Sequence, residues 1–256
     1  MKKNIIEDES NFQDRKITGN LRKKQSLFYN GVSSKYREAY LDELIGNVRN
    51  IKILDYGAGN GWFTSEMLQK GGCVCAIDIS PKSIEKINRE SAEYKAKGMY
   101  SGFVMDATNM SFDDNTFDIV VGHGILHHLL DYENTITEIL RVLKPGGRAY
   151  FCEPLGMNPF VNLYRLLTPK ARTKNERPLS KADLELIKGL NPAVKFSYFE
   201  MLSLLAKPFF ILGMTSIGNK VEKSMLEIDK KLLAKETSMP SFFQRMLWIV
   251  LIQLKK

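Results

Sequence analysis

The chain has 256 residues, of which 44% are apolar and 26% charged, and its formal net charge is +8. This length suits one large α/β domain, and the composition excludes disordered and fibrous classes. Three cysteines do not make a disulfide framework, the amino terminus lacks the apolar stretch of a secretory signal, and no apolar run reaches the roughly 18 residues of a membrane span. We therefore expect a cytoplasmic protein. The positive charge favours an acidic partner, which could be nucleic acid, anionic lipid or an anionic substrate. Alternatively, the charge belongs to a solvated, lysine-rich surface without such a partner.

The segment 1–48 is predicted to form a helical cap on the domain. Residues 1–17 are polar and are expected to be loose. Basic and apolar residues mix over 17–30, and apolar residues recur at helical spacing over 34–46, so two helices are predicted there.

Residues 51–64 read Ile-Lys-Ile-Leu-Asp-Tyr-Gly-Ala-Gly-Asn-Gly-Trp-Phe-Thr. The apolar start predicts a buried strand that ends at Asp55, and the apolar spacing after Gly61 predicts a helix. Glycine permits positive φ and, because it has no Cβ, lets a ligand approach the backbone closely. The N-terminus of the helix offers unpaired N–H groups to such a ligand. Trp62 stands where a dinucleotide fingerprint needs a small residue, which argues against a pyrophosphate on this turn.

Strands and helices then alternate up to residue 153. Strands are predicted over 73–79, 100–105, 117–121 and 148–153, and helices over 81–95 and 132–143. Ser80 and Pro81 are typical of a helix N-cap and first turn. This alternation predicts a doubly wound, mostly parallel sheet with its ligand at the carboxyl ends of the strands, where Asp78 can accept hydrogen bonds from a ribose.

Residues 51–153 resemble, without a gap, the core of class I S-adenosylmethionine (SAM) dependent methyltransferases, in the small-molecule, type 11-like branch. The resemblance rests on Asp-x-Gly-x-Gly-x-Gly at 55–61, on Asp78 and Asp106 after the second and third strands, and on Lys-Pro-Gly-Gly at 144–147. It implies a seven-stranded Rossmann-like fold with SAM as cofactor. The cofactor-binding residues that it implies are Asp55, Tyr56, Gly57, Ala58, Gly59, Gly61, Asp78, Ile79, Asp106, Ala107 and Gly122.

Four residues near the strand ends are candidate bases, because methyl transfer needs alignment and often a proton acceptor. His123, His127 and His128 follow the fourth strand, and Glu153 ends the fifth. Alternatively, a histidine stacks on the adenine or caps the next helix, and Glu153 is a buried hydrogen-bonding acid. No metal is expected, because no thiol or further histidine completes a site with His123 and His127.

Residues 154–256 are predicted to follow the core at 49–153 with substrate-side helices, a helical insertion and closing strands. Helices are predicted over 158–167, 181–188 and 219–235, and strands over 194–199 and 246–254, the last antiparallel. A basic loop contains Lys170, Arg172, Lys174 and Arg177. Apolar clusters at 199–214 and 242–250 indicate core, or else an acceptor pocket or a membrane-surface contact.

Together these features predict methyl transfer to a small, apolar acceptor such as a lipid or polyketide-like molecule. Two alternatives stay open, an RNA methyltransferase and a SAM-binding protein of this fold that catalyses another reaction, such as a cyclisation. RNA is disfavoured, because Gly122–Ile125 replaces the Asn/Asp-Pro-Pro-Tyr/Phe motif of base methylation and aromatic residues do not interleave with basic ones. A quinone acceptor is in doubt, since quinone C-methyltransferases usually have Arg-Asn at that place.

Overall fold

The computed structural model describes residues 2–18, 31–129, 132–169, 173, 176–233 and 244–256. The strands are β1 (Lys52–Tyr56), β2 (Cys73–Asp78), β3 (Tyr100–Val104), β4 (Phe117–His123), β5 (Leu143–Pro154), β6 (Lys195–Phe199) and β7 (Ile249–Lys255). The helices are α1 (Lys2–Thr18), α2 (Val32–Ile45), α3 (Trp62–Gln69), α4 (Pro81–Glu90), α5 (Ala92–Ala96), α6 (Tyr132–Val142), α7 (Pro159–Leu167), α8 (Lys181–Leu190), α9 (Lys207–Ile211) and α10 (Thr215–Leu233). Short 3₁₀ turns cover Leu126–His128 and Leu202–Ala206.

The seven strands form one sheet in the order β3-β2-β1-β4-β5-β7-β6. Neighbours among β1 to β5 are parallel, and β7 is antiparallel to both β5 and β6. The chain order turns back between β1 and β4, and the carboxyl ends of these two strands flank the place where doubly wound sheets bind their ligands. The predicted seven-stranded α/β fold with an antiparallel last strand is therefore confirmed.

Apolar side chains cover both faces of the sheet, as successive residues of a strand alternate between them. In β1, Ile53 belongs to the cluster that includes residues of α2, α3 and α4, and Leu54 belongs to the cluster that includes residues of α6 and α8. Both side chains are fully buried. The strand is therefore anchored on both faces, which fixes the position of the glycine turn that follows it.

The amino terminus is helical, so the expectation that residues 1–17 are loose is wrong. The hydroxyl of Ser10 donates to the carbonyl oxygen of Ile79 (3.1 Å), and the carboxylate of Asp14 accepts from the hydroxyl of Ser80. These partners follow the second strand, far from α1 in sequence, so a local pattern could not reveal them. The basic helix predicted over 17–30 lies outside the described residues beyond Thr18.

Two boundaries in the core also differ from the prediction. β5 begins at Leu143 rather than Arg148, because Leu143 already pairs with Phe117 and a shift in register between Phe117 and Ile119 accommodates the Lys-Pro-Gly-Gly turn. The helix predicted over 81–95 is divided at Ser91 into α4 and α5. Ser80 caps α4 as predicted, its hydroxyl accepting from the N–H of Ser83 (3.1 Å).

The apolar carboxyl-terminal part divides between the core and the surface. Trp248, Ile249 and Val250 are buried, whereas Ile211 and Leu212 at the end of α9 are 60% and 71% exposed. No described helix is long and apolar enough to cross a membrane. In the predicted basic loop, Lys170, Arg172 and Lys174 lie outside the described residues; Arg177 pairs with the carboxylate of Asp183 (2.5 Å).

Candidate active site

The glycine turn between β1 and α3 is a backbone cradle that is open at one point. Gly57, Gly59 and Gly61 have φ values of 76°, 54° and 82°. A Cβ on Gly57 would lie 2.8 Å from the side chain of Ile125, whereas around Gly59 the nearest atom would be 3.9 Å away. The turn is held from beneath, since the N–H groups of Gly57 and Ala58 both donate to the carbonyl of Ile77 (3.0 and 2.9 Å). A ligand can therefore approach the backbone at Gly59.

The carboxylate of Asp78 lies beside this opening and is fixed by two backbone groups. The N–H of Gly59 donates to its Oδ2 (2.7 Å), and the N–H of Ser80 donates to its Oδ1 (2.8 Å). Burial raises the pKa of Asp78, although these two N–H groups favour the charged form. Each carboxylate oxygen keeps acceptor capacity beyond its one N–H, so two neighbouring hydroxyls of a ribose can be bound.

The side chains of Asp55 and Tyr56 turn inward and support the site from within the fold. Asp55 is buried and accepts from the hydroxyl of Thr64 in α3 (2.6 Å). Burial raises its pKa to about 7. The hydroxyl of Tyr56 donates to the carbonyl of Ala107 (2.7 Å), which secures the loop after β3. Asp55 and Tyr56 can therefore contact a cofactor through their backbone atoms and not through their side chains.

A cavity of about 400 Å³ extends from Asp106, where β3 ends, to α1. Its lining residues are Ile6, Glu7, Ser10, Asn11, Ile79, Val104, Met105 and Asp106. Oδ1 of Asp106 accepts from the N–H and the hydroxyl of Thr108 (2.8 Å each). The open glycine backbone, the carboxylate of Asp78 and this partly apolar cavity fit the ribose and adenine of SAM.

Gly122 connects the cradle with the histidines that follow β4. A Cβ at this position would lie 2.6 Å from the ring of Phe151 and 2.7 Å from the side chain of Ile125. The absence of a side chain thus lets Ile125 lie against both Gly122 and Gly57. His127 and His128 follow Ile125 closely in the chain.

His123 lies among aromatic rings at the end of β4. Its ring centroid is 4.8 Å from that of Trp62 and 5.2 Å from that of Phe63. Burial lowers the pKa of His123 to about 4, and the charge of Arg37 contributes to the shift. His123 is therefore a neutral ring packed on α3 and a weak proton acceptor.

His127 is oriented by Glu153, which is fully buried at the end of β5. Glu153 Oε1 accepts from the N–H groups of Ile125 and Leu126 (2.9 Å each), and its Oε2 lies 2.7 Å from Nδ1 of His127. The other ring nitrogen of His127, Nε2, lies 3.8 Å from Oε1 of Glu176. Glu153 is therefore a buried acid that accepts hydrogen bonds, as in the alternative considered for it, and its role as a base stays a prediction.

His128 completes a cluster to which two distant segments contribute. Its ring centroid lies 4.2 Å from that of His127, and its Nδ1 lies 3.3 Å from Oε1 of Glu9 in α1. Burial opposes protonation, yet the nearby carboxylate of Glu9 raises the pKa of His128 above its usual value. Glu176 is held by Arg165 of α7, with Nη1 3.0 Å from Oε1.

Glu9 and Glu176 were not among the predicted site residues. Glu176 reaches the cluster because Leu179 pairs with Leu155, just after β5, in an isolated parallel bridge. Neither residue stands in a motif, so no signal in the sequence could have assigned them to the site.

Comparison with known proteins agrees with this geometry. Residues 54–151 match a family model described as a methyltransferase domain. The chain is 34% identical over 110 residues to the demethylmenaquinone methyltransferase of Clavibacter sepedonicus, and this match covers 43% of each protein. It is 33% identical over 116 residues to the aklanonic acid methyltransferase DauC of Streptomyces sp. (strain C5), and this match covers 43% of this chain and 52% of that one. The chain spans about half or less of the length of the curated relatives it matches.

Solved structures share the fold. A Haemonchus contortus phosphoethanolamine N-methyltransferase 2, in complex with phosphomonomethylethanolamine and S-adenosylhomocysteine, matches with a TM-score of 0.60 at 16% identity. The match covers 87% of this chain and 52% of that one, and at this identity it concerns the fold. Over residues 54–151 the chain is therefore similar to a methyltransferase domain, and it shares the fold of this solved methyltransferase.

Proposed function

We propose that the protein transfers a methyl group from SAM to a small, apolar acceptor. The observation that carries this proposal is the contact between Gly57 of the cradle and Ile125, which shortly precedes His127 in the chain. It supports a cofactor site and a catalytic imidazole at the adjoining ends of β1 and β4. Relatives named for demethylmenaquinone and aklanonic acid support a small-molecule acceptor.

The residues of the chain divide the work between holding the cofactor and activating the acceptor. When bound, SAM supplies an electrophilic methyl group on its sulfonium. Asp78 and Asp106 hold the nucleoside, and the open backbone at Gly59 admits it without a steric conflict. The Nε2 lone pair of His127 activates the acceptor, and Glu153 keeps that lone pair available by holding the proton on Nδ1.

The apolar character of the acceptor is supported by the surface between α9 and α10. Large apolar side chains there are exposed, namely Ile211, Leu212, Met214 and Ile217. Lys220 and Lys223 are exposed further along α10. This composition suits transient contact with the surface of an anionic membrane, so we place the enzyme in the cytoplasm with access to lipid-soluble acceptors.

The test combines an activity screen with one variant. Purified protein and radiolabelled SAM are incubated with polar and lipid fractions of a metabolite extract, and label should enter an organic-soluble product. Asp78→Ala should weaken SAM binding by about 1–3 kcal/mol in calorimetry, because the ribose hydroxyls lose their charged acceptor. Asp118→Asn, which alters a carboxylate at the amino end of β4, is the matched control and should bind SAM normally.

Two results would contradict the proposal. Unchanged SAM affinity in Asp78→Ala would remove the cofactor site from the cradle. A protein that binds SAM, transfers no label and binds RNA with a steep salt dependence would favour the RNA alternative.

A further inference from the structure

We infer that the histidine cluster binds a divalent transition-metal cation, with His127, His128 and Glu176 as its ligands. Each of these residues offers one ligand atom, and the three atoms lie within 4.8 Å of one another. Binding of the cation does not depend on the proposed methyl transfer, whereas the catalytic role given to it below rests on that function.

The first support is the orientation of His127. Its Nδ1 is bonded to a carboxylate oxygen of Glu153 (2.7 Å), so Nε2 is the atom left to bind a cation. A ligating imidazole in a metal site commonly donates its other N–H to a carboxylate in this way, which fixes the ring and increases its basicity. Glu153 is itself held by backbone N–H groups, so the ring is positioned before any cation arrives.

The second support is the way in which Glu176 is held. Arg165 donates from Nη1 to Oε1 of Glu176 (3.0 Å) and from Nη2 to its carbonyl oxygen (3.2 Å). A carboxylate has two oxygens with about four acceptor positions, so the hydrogen bond from the guanidinium is compatible with a bond from Glu176 to a cation. The side chains of His127, His128 and Glu176 are 8%, 10% and 12% exposed, which limits competition from water.

The third support is charge. Glu9, Glu153 and Glu176 bring three carboxylates to two imidazoles, and Arg165 brings one guanidinium. Among these groups a divalent cation neutralises the excess of negative charge. Buried charges are stable when they are paired or when they bind a metal.

The ligand set selects the kind of cation. Two imidazole nitrogens with one carboxylate suit Zn²⁺ and related transition metals, whereas Mg²⁺ and Ca²⁺ prefer oxygen ligands. With bonds of about 2.1 Å, tetrahedral ligands lie roughly 3.4 Å apart. The 3.8 Å between Nε2 of His127 and Oε1 of Glu176 is close to this, so small side-chain rotations complete the site. Three protein ligands leave the fourth position for the acceptor.

A bound cation would occupy the Nε2 lone pair of His127, so in the metal-bound protein the cation would activate the acceptor in place of that lone pair. It would lower the pKa of an acceptor hydroxyl, whose proton would leave to solvent. The new O–CH₃ bond forms as the S–CH₃ bond of SAM breaks, and the electron pair of that bond returns to sulfur. The sequence-based expectation of no metal considered only His123 and His127, whereas the proposed site adds Glu176 from a distant part of the chain.

The experiment measures metal binding directly. Protein without a polyhistidine tag is stripped with a chelator, dialysed against Zn²⁺ and analysed for metal content; we expect about one Zn²⁺ per chain. His128→Gln and Glu176→Gln should each raise the Zn²⁺ dissociation constant by about 100-fold, and Glu153→Gln by about 10- to 100-fold. His123→Gln alters the histidine outside the cluster and should leave Zn²⁺ binding unchanged. Circular dichroism and SAM calorimetry establish that each variant is folded.

The inference is overturned if the stripped protein takes up no Zn²⁺, or if folded His128→Gln and Glu176→Gln bind it as tightly as the unaltered chain. Its failure differs from that of the proposed function. A protein that takes up no Zn²⁺ and still methylates would refute the cation and keep the methyltransferase, whereas one bound Zn²⁺ without methyl transfer would do the opposite. Methylation by the chelated protein would refute only the catalytic role given to the cation.

Discussion

The cofactor side and the acceptor side of this site are built in different ways. The cradle from Asp55 to Gly61 and the carboxylate of Asp78 come from two adjacent strands that follow each other directly in the sequence. The histidine cluster draws on α1, the end of β4, the end of β5 and the loop at Glu176. A local sequence motif can specify the cofactor side. It cannot specify the acceptor side, which forms only when distant segments pack together.

The sharpest way to separate the two sides is to remove His127. His127→Ala should lower the rate of methyl transfer by about 100-fold or more, while SAM affinity stays nearly the same, because the Nε2 lone pair acts on the acceptor. Steady-state kinetics and calorimetry on one preparation measure both quantities.

Glu153 provides the accompanying control, since it acts through His127. Glu153→Gln should lower the rate less, and the double variant should be no slower than His127→Ala alone. Additive losses in the double variant, or weakened SAM binding in His127→Ala, would show that the sides are not separable in this way.

A second substitution tests the contact that joins the sides. Gly57→Ala should destabilise the fold by about 2–4 kcal/mol, because alanine is strained at positive φ and its Cβ would meet Ile125. Gly59→Ala has the same backbone strain without that contact and should cost about 1–2 kcal/mol. Urea unfolding followed by circular dichroism measures both. Equal losses would mean that Ile125 does not constrain the cradle.

The smallest effect is expected beneath the cradle, at Asp55. Burial raises its pKa from the ordinary 3.8 to about 7, so the folded state binds more protons than the unfolded state between these values. Stability should therefore fall as pH rises through this window, by at most about 1.4 kcal/mol per pH unit. Asp55→Asn should flatten this fall, as measured by thermal unfolding between about pH 5 and 7.

Asp118 serves as the reference for this measurement. Burial raises the pKa of Asp118, but the hydrogen bond that it accepts from Lys144 lowers this pKa below its ordinary value. The contribution of Asp118 to stability is therefore lost only in more acidic solution. Asp118→Asn should therefore keep the slope of the unaltered protein. Identical slopes for Asp55→Asn and the unaltered protein would contradict the raised pKa.

The difference between the sides also explains what could be predicted from the sequence. The alternation of strands and helices, the cradle and Asp78 follow from periodicity and glycine spacing, which act over a short stretch of chain. The expectation of a loose amino terminus is wrong because α1 contacts Ile79, Ser80 and His128, all of which are distant from it in the sequence. Glu176 and Glu9 are ordinary surface-type residues in sequence, and only the tertiary structure brings their carboxylates to the imidazoles.

The position of α1 has a consequence for the order of events in catalysis. The same helix lines the cavity beside Asp106 through Ser10 and brings Glu9 to His128. A ligand that moves α1 at the cavity therefore also changes the contact between Glu9 and His128, and a ligand at His128 changes the cavity. The free energy of this linkage is the same in both directions. Occupancy of the nucleoside cavity should thus tune the affinity of the acceptor side, and acceptor binding should tune cofactor retention by an equal factor.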